Sequence, residues 1–104
     1  MIEWHYCYDF LPGIDQQAYG ELAKRIVGVI LQQPGIVEFR ANRNILGSPQ
    51  ARATGVWQTF ADVANFMENL WPTLESELRT FVTNIRVEVW GPSPVVPQTL
   101  RPGK

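Results

Sequence analysis

Within residues 2–10, IEWHYCYDF, the chain places a histidine, two tyrosines, a cysteine and an aspartate. His5 is the sole histidine, and a side chain that titrates near neutrality is the natural general base. Tyr6 and Tyr8, joined further on by Tyr19, carry phenolic hydroxyls that hold a substrate anion by hydrogen bonds. His5, Tyr6 and Tyr8 are the candidate catalytic residues. Alternation divides them, because a period of two sets Ile2, Trp4, Tyr6 and Tyr8 on one side and Glu3, His5, Cys7 and Asp9 on the other. His5 therefore also reads as a surface or interface residue, and a buried tyrosine satisfied by backbone has the same pattern as one poised for substrate. Cys7 stands two residues from His5, about 7 Å along a strand, too far for a direct catalytic pair.

Trp57, Phe66, Met67 and Trp71 form a second constellation, an aromatic and thioether stripe that suits the wall of a flat apolar pocket. With Tyr19 and Phe39 they are the candidate substrate-binding residues. The same spacing also describes an ordinary core. No metal-ligand spacing, phosphate-cradling glycine loop or Ser/His/Asp arrangement is present, so no metal is expected.

Four strands and two helical stretches must position these groups. The first strand spans residues 2–10, its aromatic side inward. From Asp15 to Gln33, Ala18, Tyr19, Leu22, Ile26, Val29 and Ile30 recur at helical spacing, and Gly20 and Gly28 within this helix predict close backbone packing. Pro34-Gly35 ends it. A second strand runs from Ile36 to Arg43, with Val37, Phe39 and Ala41 on one face, and a third from Ala51 to Gln58, with Ala53, Gly55 and Trp57 on one face. Thr59 and Asp62 resemble a capping box that opens a helix through Phe60, Val63, Phe66, Met67, Leu70 and Trp71. Pro72 interrupts this helix and starts a short further one. The last strand, from Asn84 to Trp90, sets Ile85, Val87 and Val89 against Asn84, Arg86 and Glu88.

Two strand-helix-strand halves of two-faced strands and one-sided helices predict an α+β fold. The expected plan is ferredoxin-like βαββαβ, a four-stranded antiparallel sheet with two helices on one face. Residues 1–91 make the domain, and residues 92–104, which hold four of the eight prolines, an extended tail. The uncovered sheet face mixes both charge signs, which suits a two-fold homodimer.

The 104 residues are enough for one domain with a core. A formal net charge of -1 without a basic stripe argues against nucleic acid. The polar face offers Arg40, Arg52 and Arg86 but only Trp90 as a stacking group, too little for an RNA-binding domain of this topology. A single cysteine excludes an intrachain disulfide. No apolar run approaches the ~20 residues of a membrane span, and the chain reads as soluble and cytoplasmic.

The PGIVEF stretch, the GVWQTFADVANFM junction and the TFVTNIRVEVW strand resemble the antibiotic biosynthesis monooxygenase-like family of the dimeric α+β barrel superfamily, over about residues 2–90. The resemblance implies a homodimer whose sheets form a barrel and a pocket in each subunit between sheet and helices. It also implies cofactor-free oxidation of a small electron-rich aromatic of the quinol or anthrone type. The haem-degrading branch uses a Trp and a His whose positions fall at Phe66 and Ser76, so haem is not expected. A non-catalytic dimeric ligand-binding module of the same fold is the alternative.

Overall fold

The structure, a computed structural model, describes residues 1–103. Its elements follow in the order β1 (Ile2–Phe10), α1 (Gln16–Ile30), β2 (Ile36–Arg43), β3 (Ala51–Trp57), α2 (Phe60–Asn69), α3 (Trp71–Leu78) and β4 (Val82–Trp90). All three strand pairings are antiparallel, and the sheet order is β2-β3-β1-β4. This is the ferredoxin-like α+β plan. Its second helical stretch is two helices, because the chain bends at Leu70 before Pro72 opens α3.

Side-chain caps start the longer helices. Asp15 accepts from the backbone N–H groups of Gln17 and Ala18 at 3.0 and 3.1 Å, and Thr59 accepts from Asp62 N–H at 3.2 Å. Thr59 in turn donates its hydroxyl to the Asp62 carboxylate at 2.8 Å.

The helix-facing side of the sheet carries the core. Trp4, Tyr6, Trp57, Val63 and Phe66 are almost wholly buried there, joined by Tyr19, Leu22, Ile26 and Ile30 of α1 and by Trp71, Leu74 and Leu78 of α3. Burial of such side chains contributes roughly 1.5–3 kcal/mol each, and the helices concentrate it over β1 and β3. Val87 and Val89 share that face, opposite Tyr6 and Trp4, yet stay 39% and 36% exposed, so the helix layer stops short of edge strand β4.

Two local expectations change. Val37 is 41% exposed rather than inward with Phe39, because pairing with β3 shifts between Ile36 and Glu38 and leaves Val37 as the extra residue of a bulge. Gly20 and Gly28 have nothing within 4 Å of where a Cβ would stand. Close packing is not what they provide. A close approach occurs at Gly55 instead, where a Cβ would lie 2.9 Å from Trp57 Nε1.

The opposite sheet face is polar at its rim and buried at its centre, where Thr54 is inaccessible and Cys7 and Val56 nearly so. No helix among the described residues is long and apolar enough to cross a membrane. Residues 92–103 contain no helix or strand and are exposed; Lys104, which ends the expected tail, lies outside the described residues.

Candidate functional site

Alternation along β1 sets Trp4, Tyr6 and Tyr8 on one face, and helical spacing along α1 aims Tyr19, Ala23 and Ile26 back at them. Trp71 and Leu78 of α3 close the third side. Between these elements lies a cavity of about 40 Å³, bounded also by Ala53 of β3. It holds a few water-sized molecules. Benzene occupies a cavity nearer ~150 Å³, so an aromatic ring requires the walls on α1 and α3 to separate.

Its polar groups are few and mostly neutral. Tyr6 donates its hydroxyl to Oε2 of Glu75 at 2.8 Å, and the hydroxyls of Tyr8 and Tyr19 bond each other. Burial, reinforced by the bond to Glu75, raises the Tyr6 phenol far above its ordinary range. Burial and then the Tyr19 bond do the same for Tyr8. Neither is a base on its own at neutral pH.

The indole Nε1 atoms of Trp4, Trp57 and Trp71 are buried without a hydrogen-bond partner. Orphaned buried donors are costly, on the order of 1–3 kcal/mol each. Trp4 and Trp71 are both among the residues that line the cavity. The Trp71 ring stands edge-on to those of Trp4 and Tyr6, with centroids 4.9 and 4.8 Å apart, which fixes the wall that a ligand would meet.

The sequence-derived candidates separate accordingly. Tyr6, Tyr8, Tyr19 and Trp71 come together around the cavity. Trp57 and Phe66 pack behind Trp71, Phe66 lying 4.9 Å from Trp57 and 5.7 Å from Trp71 between ring centroids. Met67 and Phe39 are half-buried against the same core and do not line the cavity.

His5 lies on the other sheet face. Its Nε2 is 3.1 Å from Oε1 of Glu3, which also meets Arg40 Nη2 at 3.1 Å. If Nε2 carries the proton toward Glu3, the Thr54 hydroxyl donates to Nδ1 at 3.0 Å, and the buried threonine is satisfied. His5 and Glu3 border a broad open groove of about 1340 Å³ between the β2–β3 loop and the C-terminal tail.

No family model and no curated protein matches this sequence. Solved structures do. SnoaB from Streptomyces nogalater, a cofactor-independent oxygenase, superposes with a TM-score of 0.74 at 12% identity, covering 93% of this chain and 97% of its own. A candidate antibiotic biosynthesis monooxygenase from Deinococcus radiodurans reaches 0.78 at 10% identity over 100% of both chains. Another from Nitrosomonas europaea reaches 0.69 at 14% identity, over 88% of this chain and 97% of its own. The chain shares the fold of these proteins. At such identities the likeness extends to the fold alone.

The sequence reading did not assign to the site Trp4, which lines the cavity, or Glu75, which bonds Tyr6 without lining it. Trp4 was legible as inward but not as part of a site. Glu75 carried a usable signal: Trp71, Leu74, Glu75 and Leu78 stand at i, i+3, i+4 and i+7, so a carboxylate occupies the apolar stripe of α3.

Proposed function

We propose that the protein is a cofactor-independent monooxygenase acting on a small electron-rich aromatic of the quinol or anthrone type. The observation that carries this reading is the cavity, which Tyr6, Tyr8 and Tyr19 line together with Trp4 and Trp71, whose indole N–H groups have no hydrogen-bond partner. Its apolar wall desolvates the ring, and indole and phenol N–H and O–H groups stabilise the oxygen-centred anion that reacts with dioxygen. The substrate supplies the electrons: an activated ring CH₂ and O₂ become C=O and H₂O. The shared fold with SnoaB supports the same class of reaction.

The functional unit is a homodimer joined through the polar sheet faces. Supporting this are the groove's size, its mixed charges, including Glu3, Arg52, Arg86 and Glu88, and the exposed Ile45, Leu46 and Leu100 on its borders.

Oxygen consumption by the purified protein, measured over a panel from single-ring hydroquinones to anthrone, tests the proposal. Uptake above the buffer rate that disappears in the double variant Tyr6→Phe/Tyr8→Phe is expected, and a flat response across the panel rejects catalysis. The second reading, a binding module of the same fold, is favoured by the neutrality of both β1 phenols. Saturable tryptophan quenching without oxygen uptake distinguishes it.

A further inference from the structure

Among the described residues, the only hydrogen bond from the cavity's phenols to a carboxylate is that of Tyr6 to Glu75. Tyr6 is wholly buried and lines the cavity, whereas the Glu75 side chain is 20% exposed and reaches the surface. Arg79 Nη2, from the well-exposed residue that caps the C-terminus of α3, lies 3.5 Å from the same Oε2 atom. Cavity, phenol, carboxylate and solvent thus form an unbroken line.

We propose that Glu75, acting through Tyr6, is the proton acceptor for the substrate bound in this cavity. The inference rests on the oxygenase reading for its substrate class, an aromatic with an acidic C–H or O–H. The substrate's bond to hydrogen breaks as that proton joins the Tyr6 oxygen, whose second lone pair is free to accept it. At the same time the original Tyr6 proton passes to Oε2 of Glu75. Tyr6 begins and ends neutral, the substrate becomes an anion, and Glu75 becomes a carboxylic acid that releases its proton to water beside Arg79. The suppressed ionisation of Tyr6 agrees with this role, since a phenol that resists becoming tyrosinate relays a proton only while giving up its own. Glu75 does not touch the substrate. Tyr6 on β1 and Arg79 at the C-terminal cap of α3 are the titratable or charged groups that face it.

Hydrogen exchange without oxygen isolates this step. Anthrone, and 2-indanone as a smaller carbon acid, are incubated anaerobically in D₂O with the full-length protein, and deuterium at the acidic methylene is followed by NMR. The wild type is expected to accelerate exchange. Glu75→Gln, which still accepts the Tyr6 bond but takes no proton, and Tyr6→Phe should each reduce exchange about a hundredfold. Glu75→Gln, at a residue outside the cavity lining, should keep ligand binding, read by tryptophan quenching.

Exchange at the wild-type rate in Glu75→Gln overturns the relay, as does the absence of any acceleration by the wild type with both carbon acids. Accelerated exchange that depends on Glu75 without oxygen uptake in air upholds the relay and removes the oxygenase reading.

Discussion

The side-chain amide of Asn84 donates to Oδ2 of Asp9 at 3.0 Å, tying β4 to β1 where their register shifts. Asn84 holds a positive φ of 52°, a conformation that asparagine tolerates better than most residues. Asp9 also accepts from the Ser48 hydroxyl at 2.7 Å and from the Gln50 backbone N–H at 2.9 Å. One carboxylate therefore fastens β4 and the β2–β3 loop to β1. The bonds from Ser48 and Asn84, with a smaller one from Gln50, outweigh desolvation and hold this carboxyl below its ordinary value of 3.8.

The sign of the pH effect follows from that depression. A lowered folded-state pKa contributes stability that is present above the unfolded value and lost as pH falls through the folded one. Asp9→Asn should lower the thermal midpoint at neutral pH and weaken its decline on acidification below the unfolded aspartate range. Thermal unfolding of both proteins across an acid series checks this. Parallel curves would mean that titration of Asp9 contributes nothing to the pH dependence of stability.

Tyr8 and Tyr19 satisfy one another, and no other hydroxyl among the described residues bonds to either. Removing one hydroxyl strands the other, with an expected loss of about 1–3 kcal/mol, whereas removing both leaves two phenylalanines in an aromatic wall and is nearly neutral. Chemical denaturation of Tyr8→Phe, Tyr19→Phe and the double variant should give a loss in the double well below the sum of the singles. Additive losses would show that each phenol has an independent partner.

Strand parity made much of this legible. The repeat of Trp4, Tyr6 and Tyr8 identified the inner face of β1, and TFADVANFM identified both the cap and the apolar side of α2. Val37 was not legible, because the IV pair at the start of β2 fits either face and a bulge leaves no mark in an apolar run. The Tyr6–Glu75 bond joins residues 69 positions apart, which no local pattern reports. The cavity's size was equally hidden: the same large rings line a ligand pocket or fill a core, and only their packing angles decide how much room remains.

Two glycines should respond to alanine in opposite directions. Gly28, exposed on α1 with open space around it, gains helix propensity, so Gly28→Ala is expected to stabilise by about 0.5–1 kcal/mol. At Gly55 the added methyl meets the buried Trp57 indole, and overpacking of this kind costs about 1–3 kcal/mol. Denaturant midpoints for the two variants decide the matter. Stabilisation by Gly55→Ala would require Trp57 to have an alternative rotamer of equal quality.

The C-terminal tail and the β2–β3 loop stand as two arms at the borders of the polar-face groove, with Val96, Pro97 and Leu100 on one side and Ile45 and Leu46 on the other. Ile45 and Leu46 are 99% and 97% exposed, an arrangement that leaves apolar surface without an intrachain partner. In the proposed homodimer each pair of arms grips the other copy. Deleting residues 93–104 should then shift the dimer toward monomer at micromolar concentration, and Leu46→Asp should do the same through the other arm. The helix-side core, including the Tyr6–Glu75 bond, lies across the sheet from both changes, so circular dichroism should remain that of the full chain. Light scattering over a dilution series measures the effect; a dimer equally persistent in both variants would confine the interface to the sheet face itself.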